Sequence, residues 1–252
     1  MNEAVERLGK FFEEYPRMAL AFSGGVDSAY LLHAAVKAGC DVRPYYLHTQ
    51  FQSAVELADV RRLAADLGVE LCVIEKDILA NEAVRKNPAD RCYFCKRALF
   101  AEILDAARRD GYALVVDGTN ASDDVSDRPG MRALRELKVR SPLREAGLSK
   151  PEIRARSREA GLFTWDKPAN ACLATRIPTG VAIEAQALHK VERAEDALRA
   201  MGFSDLRVRV FAGAARLQFP EGQMAAALQR RGEILSALCA DFEAVLLDLK
   251  AR

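Results

Sequence analysis

The chain has 252 residues, half of them hydrophobic and 29% charged, with 37 Lys+Arg against 36 Asp+Glu. That is enough for one large domain or two small ones around an ordinary core, and it excludes a disordered chain. A net charge of +1 excludes a general electrostatic hold on nucleic acid or a membrane surface and leaves only local basic sites.

Met1–Tyr15 reads as an amphipathic helix, with Val5, Leu8, Phe11 and Phe12 on one face and Glu3, Glu6, Lys10 and Glu13 on the other. It lacks the apolar stretch and cleavage site of a signal peptide, and no run approaches the roughly 18 residues of a membrane span, so a cytoplasmic protein is expected. Strand and helix then alternate. Strands are expected at Arg17–Phe22, Val42–Leu47, Val69–Ile74 and Ala113–Val116, and helices after Ser28, at Ser53–Leu67 and at Cys95–Asp110. Short apolar strands separated by helices imply an α/β fold with a doubly wound parallel sheet, its ligands at the carboxyl ends of the strands. Asp123–Pro142 reads as a polar loop with a short helix. Ser149 and Glu152 form a capping box, and Leu162–Asn170 is irregular. A domain boundary is placed between 1–165 and 166–252. The second part reads as a smaller α+β domain: a helix at Ile183–Met201, paired strands at Leu206–Val210 and Ala215–Phe219, a helix at Gly222–Leu238 and a strand at Ala244–Leu249.

Ser23-Gly24-Gly25-Val26-Asp27-Ser28 follows the first strand and opens the first helix of the sheet. Glycines let a backbone approach an anion, and a helix N-terminus offers free N–H groups and partial positive charge. Ser23 and Ser28 add hydroxyls, and Asp27 is placed to hold Mg2+ against phosphates. The lysine of the nucleotide-hydrolase P-loop is missing, so simple γ-phosphate hydrolysis is not the expected chemistry. Asp117-Gly118-Thr119-Asn120 ends the fourth strand and is a second turn at the same edge. The first hexapeptide resembles the SGGxDS motif of the PP-loop ATP pyrophosphatases. That resemblance implies ATP bound by Ser23, Gly24, Gly25, Asp27, Ser28, Gly118 and Thr119, adenylation of a substrate oxygen, and release of pyrophosphate.

Of six cysteines, Cys40, Cys72 and Cys239 fall in apolar patterns and read as buried free thiols. Cys92, Cys95 and Cys172 fall in polar, loop-like contexts. Zinc commonly takes four N or S ligands, and none of His33, His48 and His189 adjoins these three cysteines. Three thiolates suit a [4Fe–4S] cluster with one iron open; a loop of reduced thiols is the plain alternative.

With RCYFCK at 91–96, GTNASDDVSDRPG at 118–130, SPLREAGLSK at 141–150, ACLATRIPTG at 171–180 and VERAEDALRAMGF at 191–203, the chain resembles the LarE family of ATP-dependent sulfur transferases over nearly its whole length. The resemblance implies sulfur insertion, twice, into the carboxylates of pyridinium-3,5-dicarboxylate mononucleotide during nickel-pincer cofactor synthesis. It also implies the cluster-bearing type, with Cys92, Cys95 and Cys172 as ligands, rather than the type in which the cysteine at position 172 is sacrificed. Arg207 and Arg209 alternate on one strand face, where two guanidiniums would clamp a phosphate; the resemblance puts the substrate phosphate there. Lys96 and Arg176 flank the cysteines and are candidates for neutralising the adenylate or the substrate carboxylate. Glu195 matches an acidic position near the active site, with a solvated charged face as its rival. ATP, Mg2+ and the cluster are the implied cofactors. A small nucleotide substrate, a sulfur-supplying protein and a homo-oligomer, a trimer-based hexamer, are the implied partners. A tRNA thiolase and an amide-forming synthetase are the rival enzymes; neither a basic RNA-binding face nor a glutaminase motif is evident. The rival of another class is a binding module without catalysis.

Overall fold

In the computed structural model the elements run in chain order: α1 (Glu3–Glu14), β1 (Arg17–Ala21), α2 (Val26–Lys37), β2 (Asp41–His48), α3 (Ala54–Asp66), β3 (Cys72–Glu75), α4 (Glu82–Arg85), α5 (Arg91–Arg109), β4 (Val115–Asp117), α6 (Pro129–Glu136), α7 (Pro142–Ala146) and α8 (Lys150–Glu159). A 3-10 turn (Leu173–Arg176), α9 (Ala185–Ala200), β5 (Arg207–Phe211), β6 (Ala214–Gln218), α10 (Glu221–Gln229), α11 (Arg231–Leu238) and β7 (Val245–Leu247) follow. The structure describes residues 3–123, 129–168 and 171–252. The start of the first expected helix at 1–2, the expected loop across 124–128 and the end of the irregular stretch at 169–170 lie outside the described residues. The chain divides into two compact units, Met1–Ile78 with Asp90–Asn170, and Leu79–Ala89 with Ala171–Arg252.

The first unit is a parallel sheet in the order β3-β2-β1-β4. Met18, Ala19 and Leu20 in β1 are fully buried, so both faces of the strand need covering. Met18 and Leu20 pack into a core with Leu8 and Phe12 of α1, Leu31 and Leu32 of α2, Leu143 of α7 and Ile153 of α8. Ala19, Tyr45 and Val115 face the other way, onto Ile103, Ala106 and Ala107 of α5. Helices on both faces of a parallel sheet make the doubly wound α/β fold. The expected capping box is present, with Glu152 accepting from the Ser149 backbone at 2.9 Å and hydroxyl at 2.6 Å. Helix α5 begins four residues before the expected start because Asp90 takes the N-cap position and Tyr93 turns into the core beside Glu136, to which its hydroxyl donates at 2.7 Å.

The second unit carries a three-stranded mixed sheet. β5 and β6 are antiparallel, with Arg209 opposite Arg216, and β7 runs parallel to β6. Ala212 and Gly213 both have positive φ (46° and 80°), as a tight two-residue hairpin requires. The helix expected over 222–238 is broken at Arg230, whose backbone (φ −96°, ψ 19°) caps α10 and starts α11. The segment 79–89 carries the short α4, unexpected from the sequence. It is tied into this unit by Asn87: Gly180 N–H donates to its carbonyl at 2.8 Å, and its side chain donates to the Pro178 carbonyl at 2.9 Å.

A core position and an exposed one separate in stability. Leu20→Ala, at a fully buried site, should cost about 2–5 kcal/mol. Leu249→Ala, 85% exposed, should change stability by less than about 0.5 kcal/mol. Thermal denaturation of both variants checks the contrast.

Candidate active site

The turn between β1 and α2 is shaped by two glycines. Gly24 has φ +68°, and a Cβ there would lie 2.4 Å from Val60 Cγ1. Gly25 occupies the N-cap of α2 and, having no side chain, leaves the first-turn N–H groups without a side-chain acceptor. The Ser23 and Ser28 hydroxyls meet at 3.1 Å across the turn, and Ser28 Oγ donates to the Gly25 carbonyl at 3.3 Å. The second turn closes directly on this one. A Cβ on Gly118 would stand 2.8 Å from the Ser28 backbone nitrogen, so the approach of β4's end to the first turn of α2 requires glycine. Buried Asp117 fixes the shape of that turn by accepting from Thr119 N (3.2 Å), Thr119 Oγ1 (2.6 Å) and Ser141 Oγ (2.7 Å). Seven expected nucleotide-binding positions, Ser23, Gly24, Gly25, Asp27, Ser28, Gly118 and Thr119, are thereby assembled at the carboxyl ends of β1 and β4.

Asp27 carries the charge at this edge. Lys150 Nζ, at the first position of α8, donates to its Oδ2 at 2.6 Å, while its Oδ1 is buried without a hydrogen-bond partner. Burial pushes the carboxyl above its usual range, against the pull of the Lys150 ammonium. Magnesium is commonly held by one or two carboxylates, with water and substrate phosphates as the other ligands. One buried, unpartnered carboxylate oxygen beside a bare helix N-terminus fits that role. Sequence reasoning misses Lys150: it is 123 residues from Asp27, and only the register of α2 against α8 brings the two together.

Cys92 and Cys95 are not in a loop. They are the second and fifth residues of α5, three residues apart and so on neighbouring positions of one helix face. Cys92 is exposed and Cys95 half-buried, and Arg91 lies 3.7 Å from the Cys92 sulfur. Lys96 lies along Gly130 of α6, where a Cβ would come within 3.0 Å of the lysine Cδ. Cys172 belongs to the other unit, half-buried ahead of the 3-10 turn. Its flank contributes to the core: Leu173, Ala174 and Ile177 are buried. Among the described residues no group of three or more His, Cys, Asp or Glu side chains is arranged to hold a metal. Of the thiols expected to be buried, Cys239 is exposed and Cys40 and Cys72 are half-buried.

The second unit gathers Arg176, Glu195, Arg207 and Arg209. Glu195 is fully buried, so the solvated-face alternative is overturned: it lies on the apolar stripe Leu188–Val191–Ala194–Leu198 of α9. Its carboxylate accepts from Arg176 Nε at 2.8 Å, from Arg199 at 2.8 Å and from the Val208 backbone at 3.1 Å. Arg176 is 2% exposed in its side chain and is occupied by that pair, which leaves it poorly placed to neutralise an incoming anion. Arg207 and Arg209 share one face of β5, with Arg209 donating to Gln218 at 2.6 Å and to the Thr175 carbonyl. Burial, then the neighbouring Arg176 for Arg207, and Arg207 and Arg176 for Arg209, disfavour the charged guanidiniums. An anion on this face would relieve that crowding.

No family model matches the chain. It is 36% identical over 225 residues to an uncharacterised protein of Synechocystis, covering 89% of this chain and 84% of that one. It is 32% identical over 214 residues to the pyridinium-3,5-bisthiocarboxylic acid mononucleotide synthase of Lactiplantibacillus plantarum, covering 84% and 78%. A more distant likeness, 24% over 144 residues and 48% of this chain against 40% of the other, is to a tRNA-specific 2-thiouridylase of Thermotoga petrophila. No helix among the described residues is long and apolar enough to cross a membrane.

The contact between the two turns predicts that Gly118→Ala weakens ATP binding about fivefold or more, since overpacking against a fixed backbone costs about 1–3 kcal/mol. Asp27→Asn should remove the Mg2+ dependence of ATP binding. Titration calorimetry with and without Mg2+ measures both; ATP affinity unchanged in Gly118→Ala would place the nucleotide elsewhere.

Proposed function

We propose, since this chain belongs to the LarE family of pyridinium-3,5-bisthiocarboxylic acid mononucleotide synthases, that it is an ATP-dependent sulfurtransferase converting the carboxylates of pyridinium-3,5-dicarboxylate mononucleotide to thiocarboxylates. The observation that carries this reading is the pairing of a pyrophosphate cradle at Ser23–Ser28, closed by Gly118, with an arginine-rich strand face suited to a nucleotide phosphate. The cradle takes the β,γ-pyrophosphate of ATP on the first-turn N–H groups of α2. Asp27 would hold Mg2+ through the oxygen that Lys150 leaves unpartnered, and the metal when bound would supply charge neutralisation for the phosphates. A substrate carboxylate oxygen attacks the α-phosphorus, pyrophosphate leaves, and the carboxylate becomes an acyl adenylate. A sulfur nucleophile then attacks the acyl carbon and expels AMP.

Sulfur is the step with two readings. Cys92, Cys95 and Cys172 supply three thiolates, the donor set of a [4Fe–4S] cluster with one open iron, and such a cluster when bound would supply sulfide. Two of the three are already on one helical turn. In the second reading the Cys172 thiolate attacks the acyl adenylate itself, and loss of the Cys172 Cα proton then cleaves its Cβ–S bond, leaving dehydroalanine and the thiocarboxylate. Lys96, next to the cysteine pair, is assigned to the adenylate or substrate carboxylate. A sulfur-supplying protein and a trimer-based hexameric assembly remain part of the proposal.

Two measurements test it. Arg207→Ala and Arg209→Ala should each raise the substrate KM, a lost charge-assisted contact costing about 1.5–3 kcal/mol, with ATP affinity nearly unchanged; an unchanged KM in both would put the phosphate elsewhere. Mass spectrometry after anaerobic turnover should find Cys172 intact and iron bound. A loss of about 34 Da at Cys172, the mass of hydrogen sulfide, in proportion to product and without iron would sink the cluster reading and favour the sacrificial one.

A further inference from the structure

Glu195 is a fully buried carboxylate, as a general acid or base often is, yet its bonding leaves no room for that role. A carboxylate buried in an apolar helix stripe is costly unless both oxygens are paired. Here Oε1 accepts from Arg176 Nε at 2.8 Å and from the Val208 backbone at 3.1 Å. Oε2 accepts from a second Arg176 nitrogen at 3.2 Å and from Arg199 at 2.8 Å. Four donors fill the roughly four acceptor sites of a carboxylate, and a general base needs one of them open toward the proton it takes.

The remaining Arg176 nitrogen points the other way. It donates to the Ala171 carbonyl at 2.7 Å and to the Thr175 hydroxyl at 3.0 Å. The Thr175 hydroxyl in turn donates to the Cys172 carbonyl at 2.9 Å. A continuous chain of bonds therefore runs from the α9 carboxylate through one guanidinium and one hydroxyl to the backbone on both sides of Cys172. The planar, always-charged fork of arginine suits this task, because it fixes three directions at once.

We propose that Glu195 is a positioning residue, which orients Arg176 so that Arg176 and Thr175 together set the backbone of Cys172 for sulfur transfer. The proposal rests on the reading of Cys172 as a residue of the sulfur-transfer step. Adenylation, which that reading assigns to the other unit's phosphate cradle, does not depend on this brace. Sulfur transfer does, since a misplacement of about 1 Å in a reacting group costs on the order of 100-fold in rate.

The test uses the full chain with Glu195→Gln, Thr175→Val and Thr175→Ser. Three quantities are measured: ATP–pyrophosphate exchange in the presence of the pyridinium dicarboxylate, thiocarboxylate formation, and the iodoacetamide alkylation rate of each cysteine after chelator treatment, read by peptide mass spectrometry. In Glu195→Gln and Thr175→Val, product formation should fall by about 100-fold while exchange stays within about twofold. The alkylation rate of Cys172 should change, those of Cys92 and Cys95 should not, and Thr175→Ser should restore the wild-type values. Thr175→Val behaving as wild type, or loss of product in Glu195→Gln with Cys172 alkylation unchanged, would overturn the proposal. If Glu195→Gln does not fold, the Thr175 pair decides alone. Absence of substrate-dependent exchange in the wild type would instead refute the functional reading, and the alkylation rates would still judge the brace.

Discussion

The approach of Gly118 to the first turn of α2 is the contact on which the nucleotide end of the protein depends. β1 and β4 are adjacent parallel strands, with Ala21 in register with Asp117, so the turns that leave them must share one small space. They fit only because Gly118 has no side chain: its Cβ would stand 2.8 Å from the Ser28 backbone nitrogen, whereas a Cβ on Gly24 would meet Val60 Cγ1 of α3 at 2.4 Å. The Asp117 carboxylate then holds the second turn from below through Thr119 and Ser141. The bare N–H groups that the proposed phosphate cradle would use are thus placed by sheet register. The backbone that would clash with a side chain is the same backbone that presents its N–H groups to a phosphate.

The two units treat buried charge differently, and the difference matches the work assigned to each. In the first, one carboxylate is half-satisfied: Asp27 has Lys150 on one oxygen and nothing on the other. That is a poor arrangement for stability, and it is the oxygen that the proposed Mg2+ site would use. In the second, Glu195 is saturated and the excess is positive. Arg176 and Arg199 are absorbed by that carboxylate, while Arg207 and Arg209 stay crowded by burial and by like charge. An anionic ligand on that face, as proposed for the substrate phosphate, would offset the like charge.

Much of this is legible from the residues alone. SGGVDS announces its own geometry, because a glycine pair between an apolar strand and a helix has few other uses, and the period of apolar residues finds the four parallel strands. What escapes is long-range or register-dependent. Lys150 is invisible as a partner of Asp27, since nothing local couples the first residue of a helix to a loop so far away in sequence. Glu195 is ambiguous because Glu192 and Asp196 beside it suggest a wet face, whereas the stripe Val191–Ala194–Leu198 is the better guide. The polar context of Cys92 and Cys95 suggests a loop, whereas Asp90 occupies the N-cap of a helix that carries both thiols.

The central claim is that the Ser23–Ser28 cradle directs cleavage of ATP between its α and β phosphates to activate a substrate carboxylate. Phosphorus NMR of ATP and Mg2+ incubated with the protein, with and without pyridinium-3,5-dicarboxylate mononucleotide, addresses it most directly. The account predicts AMP and pyrophosphate in equal amounts, formed only when the dicarboxylate is present. ADP and inorganic phosphate as products, or pyrophosphate released at the same rate without the dicarboxylate, would contradict it.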